Sequence, residues 1–184
     1  MTANGNHGGS LYEETDALAL FIGLENSISD HASATHNSVH QVDIAPTLAL
    51  LFGVPIPKNN VGVLISETFD CSTDDKKLRA LELNSWQLLR LVQDQLPNLY
   101  CQNFLCNGSA DGLTFSTAKC GSSTEEILCC LYMNASILHN SWKSNKASGE
   151  DLNGAVAAYI EFLKTASEWL SRRVTDVGLL VNGY

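Results

Sequence analysis

Apolar residues follow two rhythms along this chain: short unbroken runs before about residue 65, and stripes at helical spacing after it. The first run, Asp16 to Gly23, is ended by glycine and suits either a strand buried on both faces or a buried helix segment. Polar residues from Glu25 to Ser38 predict a surface loop. A stretch from Gln41 to Leu64 follows, and the chain is organised around it. Its apolar segment predicts a short helix, with Asp43 as N-cap, Pro46 in the first turn and Gly53 closing it in a left-handed conformation. Ile44, Leu48, Leu51 and Phe52 are the side expected to be buried. After the turn Val54-Pro55-Ile56-Pro57, the run Val61 to Ile65 predicts a short strand.

From Glu67 to Lys77 the chain turns polar, and Ser72-Thr73-Asp74-Asp75 is suited to cap a new helix. Leu81, Leu88, Leu89, Val92 and Leu96 then share one helical face that ends at Pro97. Asn98 to Gly121 has no clear period and predicts an irregular insertion. Ser123 and Glu126 form a capping box ahead of a helix over Ile127 to Trp142. A last helix opens at Gly149-Glu150 and carries Leu152, Val156, Tyr159, Leu163, Ala166 and Leu170 on one face. Val177 to Tyr184 starts a further apolar segment. The expected class is α/β at the front, followed by a mainly α-helical segment.

Composition fits this picture. With 184 residues, 45% hydrophobic and 17% charged, the chain is long enough for a real core and is not generally disordered. A formal net charge of −9 disfavours nucleic acid and anionic membrane surfaces as partners. No apolar run reaches the roughly 18–20 residues that span a bilayer, and the first residues lack the basic and apolar regions of a signal peptide. Taken literally, that points to a cytosolic chain. Six cysteines, Cys71, Cys101, Cys106, Cys120, Cys129 and Cys130, point the other way: an even set in one region suits disulfides, although buried thiols fit as well. Sequons at Asn107 and Asn134 add a weak lumenal signal.

Few residues offer chemistry. His7, in Asn6-His7-Gly8-Gly9, is either an exposed loop histidine or a metal ligand in a loop that can bend closely around an ion. Asp30-His31, His36 and His40 form a second cluster, but the residues between His36 and His40 are not helix-like, and a solvated loop fits better. Ser10 and Thr47 lack a neighbouring base that would make a nucleophile, and Glu13-Glu14 and Asp74-Asp75 read as solvated acidic pairs. Phosphate-loop, dinucleotide and Gly-x-Ser-x-Gly motifs are all missing from the sequence.

Two stretches nonetheless carry a family resemblance. Met1 to Gly9 with Glu13-Glu14-Thr15, and Gln41-Val42-Asp43-Ile44-Ala45-Pro46-Thr47-Leu48 with Leu51, Gly53, Pro55, Pro57, Asn60 and Gly62, resemble the GPI ethanolamine phosphate transferases of the alkaline-phosphatase-like superfamily. The wording is nearest the branch that modifies the second mannose, in a plant-like version. The match is strong over about residues 1–65 and looser over Leu78 to Leu96. It implies that residues 1–66 are the C-terminal part of an alkaline-phosphatase-like catalytic sheet domain, and that 67–184 form a helical segment leading toward a membrane region. His7 would match the last zinc ligand of a two-metal site. The nucleophilic threonine and the other ligands would lie upstream of Met1, so the chain alone is expected to be inactive.

The implied reaction moves ethanolamine phosphate from phosphatidylethanolamine through that threonine to a mannose of the GPI precursor. It would take place on the lumenal side of the endoplasmic reticulum membrane, with a small membrane-protein subunit as a possible partner. Two alternatives stay open: a soluble phosphodiesterase or sulfatase-like hydrolase of the same superfamily, and a non-catalytic interaction protein.

Overall fold

The computed structural model describes residues 39–97, 99, 101, 123–144 and 152–181, the last stretch with side chains through 173. They lie within one compact unit, Ser38–Tyr184. A 3-10 turn at Gln41–Asp43 leads into helix α1, Ile44–Leu51, and a second 3-10 turn at Ser66–Phe69 leads into α2, Asp74–Gln95. Helices α3, Thr124–Ser144, and α4, Leu152–Val181, complete the described elements. The run Asp16 to Gly23, the loop Glu25 to Ser38 and nearly all of Asn98 to Gly121 lie outside the described residues.

The bundle is built around α4, which packs along both α2 and α3, while α2 and α3 touch each other only slightly. Ala155, Tyr159, Phe162, Leu163, Ala166 and Leu170 form its buried stripe. They meet Leu78, Leu81, Leu88 and Val92 of α2 and Leu128, Leu131 and Ala135 of α3 in one continuous core. Tyr132 and Phe162 meet edge to face, with ring centroids 5.4 Å apart. Most positions of the stripes read from the sequence are therefore buried, with Leu89, Leu96, Leu152 and Val156 packed at the margin.

Local signals set the helix ends. The Thr73 hydroxyl accepts the Lys76 amide at the start of α2, where Asp74 and Asp75 also suit the positive end of the helix dipole. At α3 both halves of the capping box form: the Glu126 amide donates to Ser123 Oγ at 3.1 Å, and the Ser123 amide donates to the Glu126 carboxylate at 3.2 Å. Helix α1 ends in a Schellman motif. Gly53 takes φ +67°, its amide donates to Leu50, and the Val54 amide donates to Ala49.

Four expectations need correction. Val61 to Ile65 forms no strand; its amides are bonded by side chains. The inward side of α1 is Pro46, Thr47 and Ala49, whereas Leu51 and Phe52 are exposed, Phe52 by 76%. Asp43 stands at the N-cap of α1 but does not cap it: the side chain makes no bond into the helix. Finally, Val177 to Val181 continues α4 and starts no separate segment.

Cysteine chemistry is also decided in part. Cys101 and Cys129 form a disulfide across 28 residues of sequence, fixing the chain beyond α2 to α3. Cys130 is disulfide-bonded too, and Cys71 is an exposed free thiol.

Candidate functional site

The densest polar constellation among the described residues surrounds the segment Asn60 to Ile65. Four consecutive amides there donate to four different side chains. Gly62 donates to Asn60 Oδ1 at 2.8 Å, and Val63 to Asp43 Oδ1 at 2.7 Å. Leu64 donates to Asn84 Oδ1 at 2.8 Å, and Ile65 to Thr47 Oγ at 3.0 Å. A buried or half-buried segment with no strand partner must satisfy its backbone somehow, and here side chains supply what a sheet would.

Each of these side chains is used twice. The second Asp43 oxygen accepts the His40 amide at 2.9 Å, so one buried carboxylate joins the entry of α1 to Val63. Thr47 Oγ donates to the Asp43 carbonyl at 2.6 Å while accepting Ile65. Asn60 Nδ2 donates to the Val42 carbonyl at 3.0 Å. Asn84 Nδ2 donates to the Gly62 carbonyl at 3.3 Å, so its amide engages Gly62 C=O and Leu64 N–H together, as the backbone of a parallel strand would. Gln87, one turn along α2, donates to the carbonyls of Asn60 and Lys58. Gly62 has no room for a side chain, because a Cβ would run into the Val42 carbonyl and reach within 2.9 Å of the Asp43 nitrogen.

This arrangement is a clamp rather than a reaction centre. Thr47 is fully buried, with its hydroxyl committed both as donor and as acceptor, so it has neither access to substrate nor a base. Asp43 spends both oxygens on backbone amides. His40 is exposed, and its backbone amide enters the network. Asp74 and Asp75 lie in the first turn of α2. No group of three histidine, cysteine or acidic residues that could hold a metal occurs among the described residues. His7, Ser10, Glu13, Glu14, Asp30, His31 and His36 lie outside them.

A second buried polar contact lies between α3 and α4. His139 Nδ1 is 2.9 Å from the Tyr159 hydroxyl, and both residues are buried. Ser136 also bonds to Tyr159, and Trp142 stands beside the imidazole. Burial, with Lys143 adding to it, lowers the His139 pKa; burial raises that of Tyr159. Sequence reasoning missed Asn84, Gln87 and His139 as polar partners. The available signal was a polar residue at a core position of an apolar stripe: Asn84 within Leu81, Leu88 and Val92, and His139 within Leu128, Leu131, Ala135 and Trp142.

No family model and no solved structure matches the chain. Curated proteins do. It is 36% identical over 100 residues to the human GPI ethanolamine phosphate transferase 2 catalytic subunit, covering 53% of the chain and 10% of that protein. The human GPI ethanolamine phosphate transferase 3 catalytic subunit is 35% identical over 128 residues, 60% of the chain and 12% of that protein. GPI ethanolamine phosphate transferase 2 of Aspergillus oryzae aligns with the whole chain at 27% identity, across 24% of its own length. The chain thus spans about a tenth to a quarter of these relatives.

Proposed function

We propose that this chain, a homologue of the GPI ethanolamine phosphate transferases, serves GPI-anchor biosynthesis within an enzyme that places ethanolamine phosphate on a mannose of the GPI precursor. The observation that carries this reading is the shared sequence with several transferases of one name, one of them along the whole chain. Phosphatidylethanolamine is the proposed donor and the GPI glycolipid the acceptor. A small membrane-protein subunit belongs to the same proposal. The described residues supply the frame: the Asp43–Asn84 clamp holds the Asn60 to Ile65 segment against α2.

Zinc, with His7 as one ligand, is part of this reading. No group of three possible metal ligands occurs among the described residues, so in this reading the partners of His7 come from beyond them. An alkaline-phosphatase-like sheet over residues 1–66 belongs to the same proposal. A lumenal position at the endoplasmic reticulum membrane is supported by the Cys101–Cys129 disulfide, since such bonds persist in oxidising compartments. None of the described helices is long and apolar enough to cross a membrane.

A chimera tests the proposal. The aligned stretch of human GPI ethanolamine phosphate transferase 2 is replaced by the matching residues of this chain, in cells lacking the native enzyme, and GPI intermediates are read by mass spectrometry. Retained addition of ethanolamine phosphate is the expected result; a well-expressed, folded chimera without transfer overturns it. The isolated 184-residue chain in excess zinc should release or transfer no ethanolamine phosphate. Turnover abolished by His7→Ala would place a nucleophile inside the chain.

A further inference from the structure

The contact between α3 and α4 is the most extensive in the bundle, and it buries an ionisable pair. His139 is 2% exposed and Tyr159 1%. Their 2.9 Å bond suits a neutral imidazole: in its Nε2–H tautomer the phenol O–H donates to Nδ1, with the Ser136 hydroxyl available to the phenol oxygen. The imidazole is edge-on to the Tyr159 ring, with centroids 5.7 Å apart, and tilted against Trp142. Little solvent is at hand beside either ring to support a charge.

We propose that the His139–Tyr159 contact makes the docking of α3 on α4 acid-sensitive, so that the bundle is held at neutral pH and loosens as the imidazole takes up a proton. Protonation turns Nδ1 into a donor. The phenol must then accept from it and find a new acceptor for its own hydrogen, while a cation is left in an apolar interface. Surrounding charges divide. On α3, Lys143 lies one turn from His139 and opposes the cation; on α2, Arg79 opposes it, while Glu82 and Asp75 favour it. Tyr159 on α4 stays neutral. Glu82 is itself paired with Arg79 at 2.6 Å, which weakens the compensation it offers. Burial and Lys143 prevail, and the native imidazole titrates below 6.5.

The sign follows from proton linkage. Between pH 6.5 and the lower native value, the unfolded chain holds the proton and the folded chain does not. Stability is therefore full above pH 6.5 and is lost as pH falls, by up to about tenfold in the folding constant per pH unit.

The test follows the full chain by NMR and urea unfolding from pH 8 to 5. The His139 ring resonance is expected to titrate below the ordinary imidazole value of 6.5, and the urea midpoint to fall with it. His139→Gln is expected to flatten that fall. Lys143→Gln should raise the His139 midpoint, and Glu82→Gln should lower it. Titration of His139 at or above 6.5 overturns the proposal, as does a His139→Gln variant that loses the same stability in acid. Should that variant not fold, the ring titration in the unaltered chain and in Lys143→Gln decides the question.

Discussion

The side-chain carbonyl of Asn84 accepts the Leu64 amide at 2.8 Å, twenty residues back along the chain, inside a site that water does not reach. Its NH2 group takes the Gly62 carbonyl from the same segment. Asn84→Ala would remove both bonds and strand a buried N–H and C=O. The expected cost is about 2–4 kcal/mol, because buried unsatisfied groups lose their hydration without replacement. Urea unfolding checks the magnitude, and hydrogen exchange checks the cause: the Leu64 amide should lose protection while amides in the middle of α4 keep theirs. Unchanged exchange at Leu64 would refute the clamp.

Thr47 and Asp43 extend the same network from α1. Thr47→Val keeps the shape of the side chain but removes the acceptor for Ile65 and the donor to Asp43. A loss of about 1–3 kcal/mol is expected, with Thr47→Ser recovering most of it. A larger loss for Thr47→Ser than for Thr47→Val would assign the effect to the methyl group and not to the hydroxyl.

Two glycines should respond differently, for different reasons. Gly62→Ala drives a methyl into the Val42 carbonyl, where backbone surrounds it and neither side can give way, so about 2–3 kcal/mol is expected. Gly53→Ala meets nothing within 4 Å and pays only for its left-handed backbone, about 1–2 kcal/mol. Ranking the two by thermal melting checks the distinction; a more costly Gly53 variant would contradict it.

Ser85 supplies a substitution in the opposite direction. Its hydroxyl is fully buried on α2 with no hydrogen-bond partner among the described residues. Ser85→Ala removes a polar atom that has exchanged water for nothing, and the folded state should gain about 0.5–1 kcal/mol. A destabilised variant would mean that the hydroxyl has a partner.

The helices of the bundle were legible in the sequence because their information is local. The stripe of Leu81, Leu88 and Val92 and the capping box at Ser123 and Glu126 lie within a few turns of the structure they specify. The clamp was not legible in that way. Val61 to Ile65 looks like a strand because it is apolar, yet its amides find Asp43, Thr47 and Asn84 across 18 to 20 residues, a pairing that no local period encodes. Expectation also erred on α1, where hydrophobicity alone favoured the side with Phe52. The inward side instead carries Thr47, chosen for its two hydrogen bonds. In the sequence Asn60 and Gly62 stand out through a family resemblance; their bonding and close packing give both a physical reason.

The outward side of α1 gives the last prediction. Phe52 is 76% exposed and Val54 53%, while Ala49, three residues before Phe52, is buried. Phe52→Ser therefore removes little buried area, and the urea midpoint of the chain should move by no more than about 0.5 kcal/mol equivalent. Ala49→Leu inserts three carbons into a closed site and should cost about 1–3 kcal/mol. Had the apolar side led by Phe52 faced the core, the order would be reversed, with Phe52→Ser costing at least as much as a buried aromatic truncation, about 3–5 kcal/mol. Measuring both variants side by side therefore tests which face of α1 the bundle uses, since the two orientations predict opposite rankings.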